Sequence, residues 1–540
     1  MRNSCILILS TLYLLGCAAP NDGQKINIRV AEEASGEVTP VMACITSVED
    51  GLVRIPPAAT IVDSVSLTSD FYKGISFQRE RNWIGPIRKM NGRGNNDDRS
   101  FVYDSLPSIP HWAEPVAYQV SGDFSITLPP GTWRISLEHG NEFIPINEEF
   151  KVTKGDSEIT KTYNMKRWID LPAQGWYSGD VHVHHPTTKQ AFKDFLWEYA
   201  KAEDVHLVNI LEMGHHMGTD FHQEGFGEDF RTCKDNICLV SGQEGPRSTF
   251  GHIIGLNIDK MVRDTSTYEY YDLVFEKLQL QPGAIVGYAH FSWNGCDLPR
   301  GFPWYITTEQ IDFVELLQFS MINTMDYYDY LNLGFRITAA AGSDIPWGST
   351  MGEVRTFVYT GDTFSADAWF DGLKKGHTFV SNGPALFLEA DGSLPGTEII
   401  SSKGSTTNLS VKALSHKGIG TIERIEIYNN DGLLMEKLNP EGADEIEINL
   451  AYTLNKSQWL SAAVYCKNGA VAHTTPIYFI IDGQPTWNPE KAPAIIGKQL
   501  VAIQSIEDET RAKTTLDEGI ISRLEEARTF YGAIINSIDN

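Results

Sequence analysis

Nine of the 14 histidines in this 540-residue chain fall between His182 and His290. Two of them stand two residues apart in Gly179-Asp180-Val181-His182-Val183-His184. On a strand, positions i and i+2 share a face, so both imidazoles can reach one ion. Glu244 follows the apolar run 237–240, His290 ends the run 284–289, and Asp344 stands just beyond the run 337–341. Imidazole and carboxylate together suit zinc, manganese or iron. Such an ion lowers the pKa of a bound water and stabilises negative charge on a substrate. A ligand set without cysteine fits a catalytic site better than a structural zinc knot. Taken singly, each residue has an ordinary structural reading. A lone His-x-His is a satisfied pair, a strand-end carboxylate caps a helix, and His290 is a buried, hydrogen-bonded ring. Their succession at strand ends is what points to a divalent transition metal.

Strands and helices must alternate to hold such a set. Phe192, Phe195, Leu196 and Tyr199 fall at helical spacing, as do Tyr271, Val274, Phe275 and Leu278. Each group makes one apolar helical face. Around them lie short apolar runs at 205–211, 237–240, 253–256, 284–289, 313–317 and 337–341. Runs of this kind suit strands buried on both faces. The alternation across 175–383 implies a parallel sheet, open or closed into a barrel. In such folds, functional residues gather at the carboxyl ends of the strands.

The flanks read differently. Region 25–168 is β-rich: Trp133, Ile135 and Leu137 alternate with polar residues, as do Phe150 and Val152. Region 384–485 repeats the pattern with Leu409, Val411 and Ala413, then Ile446, Ile448 and Leu450. Half-buried strands alternate in this way, and a β-sandwich is the natural packing for each region. The tail, 490–540, is helical, with Leu516, Ile520, Leu524 and Ala527 on one face.

The first residues bear on location. Arg2, the mostly apolar stretch 6–15 and Leu14-Leu15-Gly16-Cys17 read as a bacterial lipoprotein signal with Cys17 as the lipidated residue. The expectation is a lipid-anchored protein of the bacterial cell envelope, touching the membrane through its anchor only. The stretch is too short to span a bilayer as a helix. A formal charge of −26 argues against nucleic acid as a partner, since phosphate binding needs a basic face. With 42% apolar and 21% charged residues, the composition is globular. Cysteine is sparse. Cys233 and Cys238 can pair across a short loop, while Cys296 lacks a nucleophile context.

The run Gly175-Trp176-Tyr177-Ser178-Gly179-Asp180-Val181-His182-Val183-His184 resembles the first motif of the polymerase and histidinol phosphatase (PHP) superfamily, and more narrowly its CehA/McbA-like branch. Gly242-Gln243-Glu244, Gly251-His252-Ile253-Ile254-Gly255-Leu256, Ala289-His290, Gly342-Ser343-Asp344 and Thr378-Phe379-Val380-Ser381-Asn382-Gly383-Pro384 continue the likeness. The resemblance covers about 175–385 and implies a distorted (β/α)7 barrel holding metal. It implies His182, His184, Glu244, His290 and Asp344 as ligands, with His252 a further candidate that starts its strand. Two positions depart from the pattern. Glu212 and His215 are separated by Met213-Gly214, and Pro346 stands where the family commonly has a histidine. One or two ions are therefore expected rather than three.

Other polar residues have supporting roles. Asp180 is expected to orient a ligand histidine. Arg247 can hold an anionic group through two hydrogen bonds. His215 is the candidate general acid; His215, His216 or His222 can act as proton donor or stand in for a missing ligand. The reading is a hydrolase that cleaves an ester substrate, small or oligomeric: a phosphoester, or a carbamate or carboxylic ester. The alternative is a non-catalytic surface lipoprotein whose barrel site has degenerated.

Overall fold

Short apolar runs that must be buried on both faces need neighbours on both edges. A ring of strands supplies them. The computed structural model describes residues 23–49, 51, 54, 56, 60–61, 118–155, 158–292, 300–319, 321–345 and 350–539. Cys17, Cys296 and Pro346 lie outside the described residues. The ring is built from β1 (Trp176–Val183), β2 (Leu207–Gly214), β3 (Ile237–Ser248), β4 (Gly251–Leu256), β5 (Ile285–Tyr288), β6 (Phe313–Gln318) and β7 (Thr338–Ala341). Every residue of β1, β2, β5, β6 and β7 is buried. β1–β2, β2–β3, β5–β6 and β6–β7 pair in parallel. A parallel bridge from Val183 to Ile345 closes the circle.

Two features of the ring differ from the sequence reading. β4 runs antiparallel to both β3 and β5, so the sheet is mixed. Only Thr249 and Phe250 separate β3 from β4, and so short a link cannot make a parallel crossover. Glu244 also lies within its strand rather than after it. β3 pairs with β2 up to Glu244, then draws on β4 for partners as far as Ser248.

The helical faces form as the spacing implies. Leu196 and Tyr199 of α1 (Gln190–Ala202) are buried, as are Tyr271, Val274, Phe275 and Leu278 of α2 (Tyr271–Gln279). α3 (Thr324–Asn332) begins where the Asn323 side chain accepts from the Asp326 amide. α4 (Ala366–Lys375) is capped by Ser365 and ends at Gly376, whose φ of 74° suits glycine.

The amino-terminal region forms two sheets around one core that includes Ile26, Ile45, Trp133 and Leu137. The 128–131 turn carries the chain from one sheet to the other. After the ring in sequence, strands Ala385–Ala390, Ser405–Leu414 and Glu445–Leu454 form a three-stranded sheet. The layer facing it is continuous with the ring. Strand Thr378–Ser381 pairs with Arg355–Tyr359 on one edge and Val471–Thr474 on the other. The tail folds back as α5 (Ala492–Ala512) and α6 (Glu518–Asp539). Ile496, Ile503, Leu524 and Tyr531 join the core that α2 and α3 cover. Leu516 departs from expectation: it precedes α6 and is exposed. No described helix is long and apolar enough to cross a membrane.

Candidate metal centre

β1 turns His182 and His184 into the ring, and both side chains are fully enclosed. Backbone pairing delivers the third group. The Asp344 amide donates to the His182 carbonyl, and the His184 amide to that of Ile345. Asp344 thereby sits beside both histidines, with Oδ1 3.4 Å from each Nε2. Glu244 approaches from β3, with Oε1 3.6 Å from His182 Nε2 and Oε2 3.4 Å from His184 Nε2. His290 Nε2 lies 3.4 Å from Glu244 Oε1. His252 Nδ1 lies 2.7 Å from the same oxygen and 3.1 Å from His290 Nε2. Three overlapping triads result: His182, His290 and Asp344; His182, His184 and Glu244; Glu244, His252 and His290. The structure thus brings together all six residues singled out as ligands. His290 and Asp344 adopt left-handed backbone conformations, with φ of 59° and 54°. Such angles are uncommon outside glycine and cluster at functional sites.

The outer nitrogens of the rings are already committed. His182 Nδ1 is 2.8 Å from Glu315 Oε1, His184 Nδ1 is 2.9 Å from the Leu211 carbonyl, and His290 Nδ1 is 2.7 Å from Gln318 Oε1. Each partner is an acceptor, so each Nδ1 carries the hydrogen and each Nε2 faces inward. His182 Nε2 and His184 Nε2 stand only 2.9 Å apart. Two inward nitrogens that close, ringed by carboxylates, fit a shared cation. The field agrees. Burial works against a charged His182, yet Glu315, Asp344 and Glu244 outweigh it and raise its pKa to about 10. Burial likewise opposes ionisation of Glu244, but Arg247, His252 and His182 hold its carboxyl well below the usual range.

The neighbours divide into supports and bystanders. Asp180 does act on His182, but through the backbone. Its Oδ1 accepts from the His182 and Ser343 amides and its Oδ2 from that of Gly352. Arg247 Nε pairs with Glu244 Oε2 at 2.7 Å, and its Nη1 lies 3.2 Å from His215 Nε2. His215 is therefore one guanidinium away from the cluster and 3.1 Å from Asp220. Burial, then Arg247, lower its pKa. His216 packs against Tyr268, and His222 is mostly exposed beside Glu212 and Thr219. Neither belongs to the described ligand triads. Cys233 and Cys238 are disulfide-bonded across the hairpin that opens β3, on the strand that also carries Glu244.

Glu315 and Gln318 were not singled out in the sequence. A signal existed: Glu315 is a charged residue inside an otherwise apolar run meant to be buried on both faces.

No family model matches the chain, and no curated protein matches it. Among solved structures, the sulfur carrier protein SoxY from Chlorobium limicola f thiosulfatophilum is 14% identical, covering 18% of this chain and 80% of its own, with a TM-score of 0.13. Fibronectin(III)-like modules of Clostridium thermocellum CbhA are 14% identical, covering 18% and 98%, with a TM-score of 0.14. A lesion-specific endonuclease from Pyrococcus furiosus is 13% identical, with a TM-score of 0.24; the match covers 37% of this chain and 55% of the endonuclease. Likenesses at this level define neither a family nor an activity.

Proposed function

We propose that this chain is a metal-dependent hydrolase of the PHP kind that cleaves an ester bond, with a phosphoester first among the candidates and carbamate or carboxylic esters within the same chemistry. One observation carries the reading. Three imidazoles have their Nδ1 atoms committed to outside acceptors and their Nε2 atoms turned toward two buried carboxylates. His182, His184, Glu244 and Asp344 would hold one divalent ion, and Glu244, His252 and His290 a second. Zinc, manganese or iron bound there supplies an acidified water and a counter-charge for the developing oxyanion. The chain's own residues do the rest. Arg247, whose Nε is paired with Glu244, would orient an anionic substrate group through its remaining N–H donors. His215 takes up and returns a proton there, with Asp220 holding its ring. Asp180 keeps the backbone of His182 and Ser343 in register.

The same proposal places the chain in the bacterial cell envelope, with lipid on Cys17. Labelled fatty acid incorporated by the native chain and lost in Cys17→Ser tests that part.

The deciding experiment is metal quantification coupled to a panel of phosphoesters, carbamates and carboxylic esters. Purified protein is expected to carry one or two ions and to lose turnover on chelation. Manganese or zinc should restore it. His184→Ala should weaken metal by more than the roughly 10- to 100-fold typical of outer-shell changes. Unchanged turnover after thorough chelation, in protein without stoichiometric metal, overturns the reading and leaves the non-catalytic alternative.

A further inference from the structure

We propose that Glu315, acting with Gln318, is a positioning residue that fixes which nitrogen of His182 and of His290 is offered to a metal. The inference rests on the metal-centre reading and concerns hydrogen-bond direction rather than ligation. Glu315 is fully buried on β6. Its carboxylate receives three donors: His182 Nδ1 on Oε1, and the His290 amide and Gln318 Nε2 on Oε2. A carboxylate only accepts, so it dictates the direction of every bond it makes. His182 must place its hydrogen on Nδ1. Gln318 must turn its NH2 toward Glu315, which leaves its Oε1 facing His290 Nδ1 at 2.7 Å. His290 must then place its hydrogen on Nδ1 as well. One carboxylate thus leaves two Nε2 lone pairs facing the cluster, one directly and one through an amide relay. The strand is shaped for this. Residues 315 and 318 would ordinarily point to opposite faces of a strand. An irregularity in pairing between Glu315 and Leu317 brings Gln318 round to the same side.

Glutamine at position 315 cannot reproduce the pattern, although its shape is nearly the same. Its single oxygen can stay with the two donors on the Oε2 side. Its NH2 then faces His182 Nδ1, and His182 must move its hydrogen to Nε2. The oxygen can instead face His182. The NH2 then meets the His290 amide, Gln318 turns over, and His290 moves its hydrogen to Nε2. In either case one imidazole stops offering a nitrogen to the ion.

Zinc affinity of the full chain, measured against a competing chelator, tests this. Glu315→Gln is expected to weaken zinc by about 10- to 100-fold, while thermal unfolding of the metal-free protein stays close to wild type. The visible spectrum of the cobalt(II)-loaded protein should shift with loss of one nitrogen ligand, which a merely structural role would not produce. Gln318→Met breaks the relay to His290 alone and is expected to lower zinc affinity at least about 10-fold. It carries the test should metal-free Glu315→Gln fail to fold. Zinc affinity and cobalt spectrum equal to wild type in either folded variant overturns the inference while leaving the metal centre standing. A wild-type chain that binds no zinc or cobalt removes the metal-centre reading itself.

Discussion

A single hydrogen atom at position 342 keeps the ligand cluster open. A Cβ on Gly342 would lie 2.5 Å from the His182 Cβ and 2.6 Å from Glu315 Oε1. Something must shift, and both neighbours are groups on which the site depends. Gly342→Ala is expected to cost about 1–3 kcal/mol of stability, as overpacking does, and to weaken zinc at least about 10-fold; equilibrium unfolding and chelator competition read the two effects. The clustered histidines and carboxylates were legible in the sequence because a His-x-His pair and carboxylates on or just beyond apolar runs have a recognisable spacing. Glu315 and Gln318 were not, because hydrogen-bond direction belongs to three dimensions. Gln318 comes to the cluster only through a strand irregularity that no periodicity announces. His216 and His222 looked equal to His215 in sequence. The Arg247 contact distinguishes His215 from them.

At the scale of elements, the turn just before strand Arg355–Tyr359 is fastened by several buried side chains, one of them Arg355. Arg355 donates to the carbonyls of Gly352 at 2.7 Å, Asp204 at 3.0 Å and Glu203 at 2.5 Å. It ties the end of α1 to the loop whose Gly352 amide Asp180 accepts. Arg355→Met takes the guanidinium donor from the Gly352 and Glu203 carbonyls, leaves the Asp204 carbonyl with Ser178 alone, and removes the cation beside the Glu203 carboxylate. A loss of about 3–5 kcal/mol is expected, seen as a lower urea midpoint with an unchanged slope. Strand positions and helical faces followed from apolar spacing. Strand direction did not: the pattern of a strand buried on both faces is the same whichever way it runs. The reversal of β4 shows only in the two-residue link before it. Leu516 fitted the helical period of the tail, but α6 starts two residues later.

Across the whole molecule, buried histidines contribute to the response to acid. His206 and His473 are each pushed down to about 4, in both cases first by burial. The His473 ring sits in the strand that joins the ring to the second flank, 2.7 Å from the Tyr328 hydroxyl. Their folded pKa lies below the unfolded value near 6.5, so their stabilisation is complete above that pH and is lost as pH falls toward 4. Each accounts for about 3 kcal/mol in total across that window, at no more than about 1.4 kcal/mol per pH unit. His473→Phe should flatten unfolding free energy over that window; an unchanged slope would refute the assignment. The tail matters at the same scale. Deleting 490–540 uncovers the apolar surface under Ile496, Ile503, Leu524 and Tyr531, and the truncated chain is expected to lose cooperative thermal unfolding. Finally, strand Thr378–Ser381 is laced on both edges, to Arg355–Tyr359 and to Val471–Thr474. Two bodies sewn along a common seam cannot swing apart like a clamshell. The ring cannot be excised and grafted without carrying its neighbour with it.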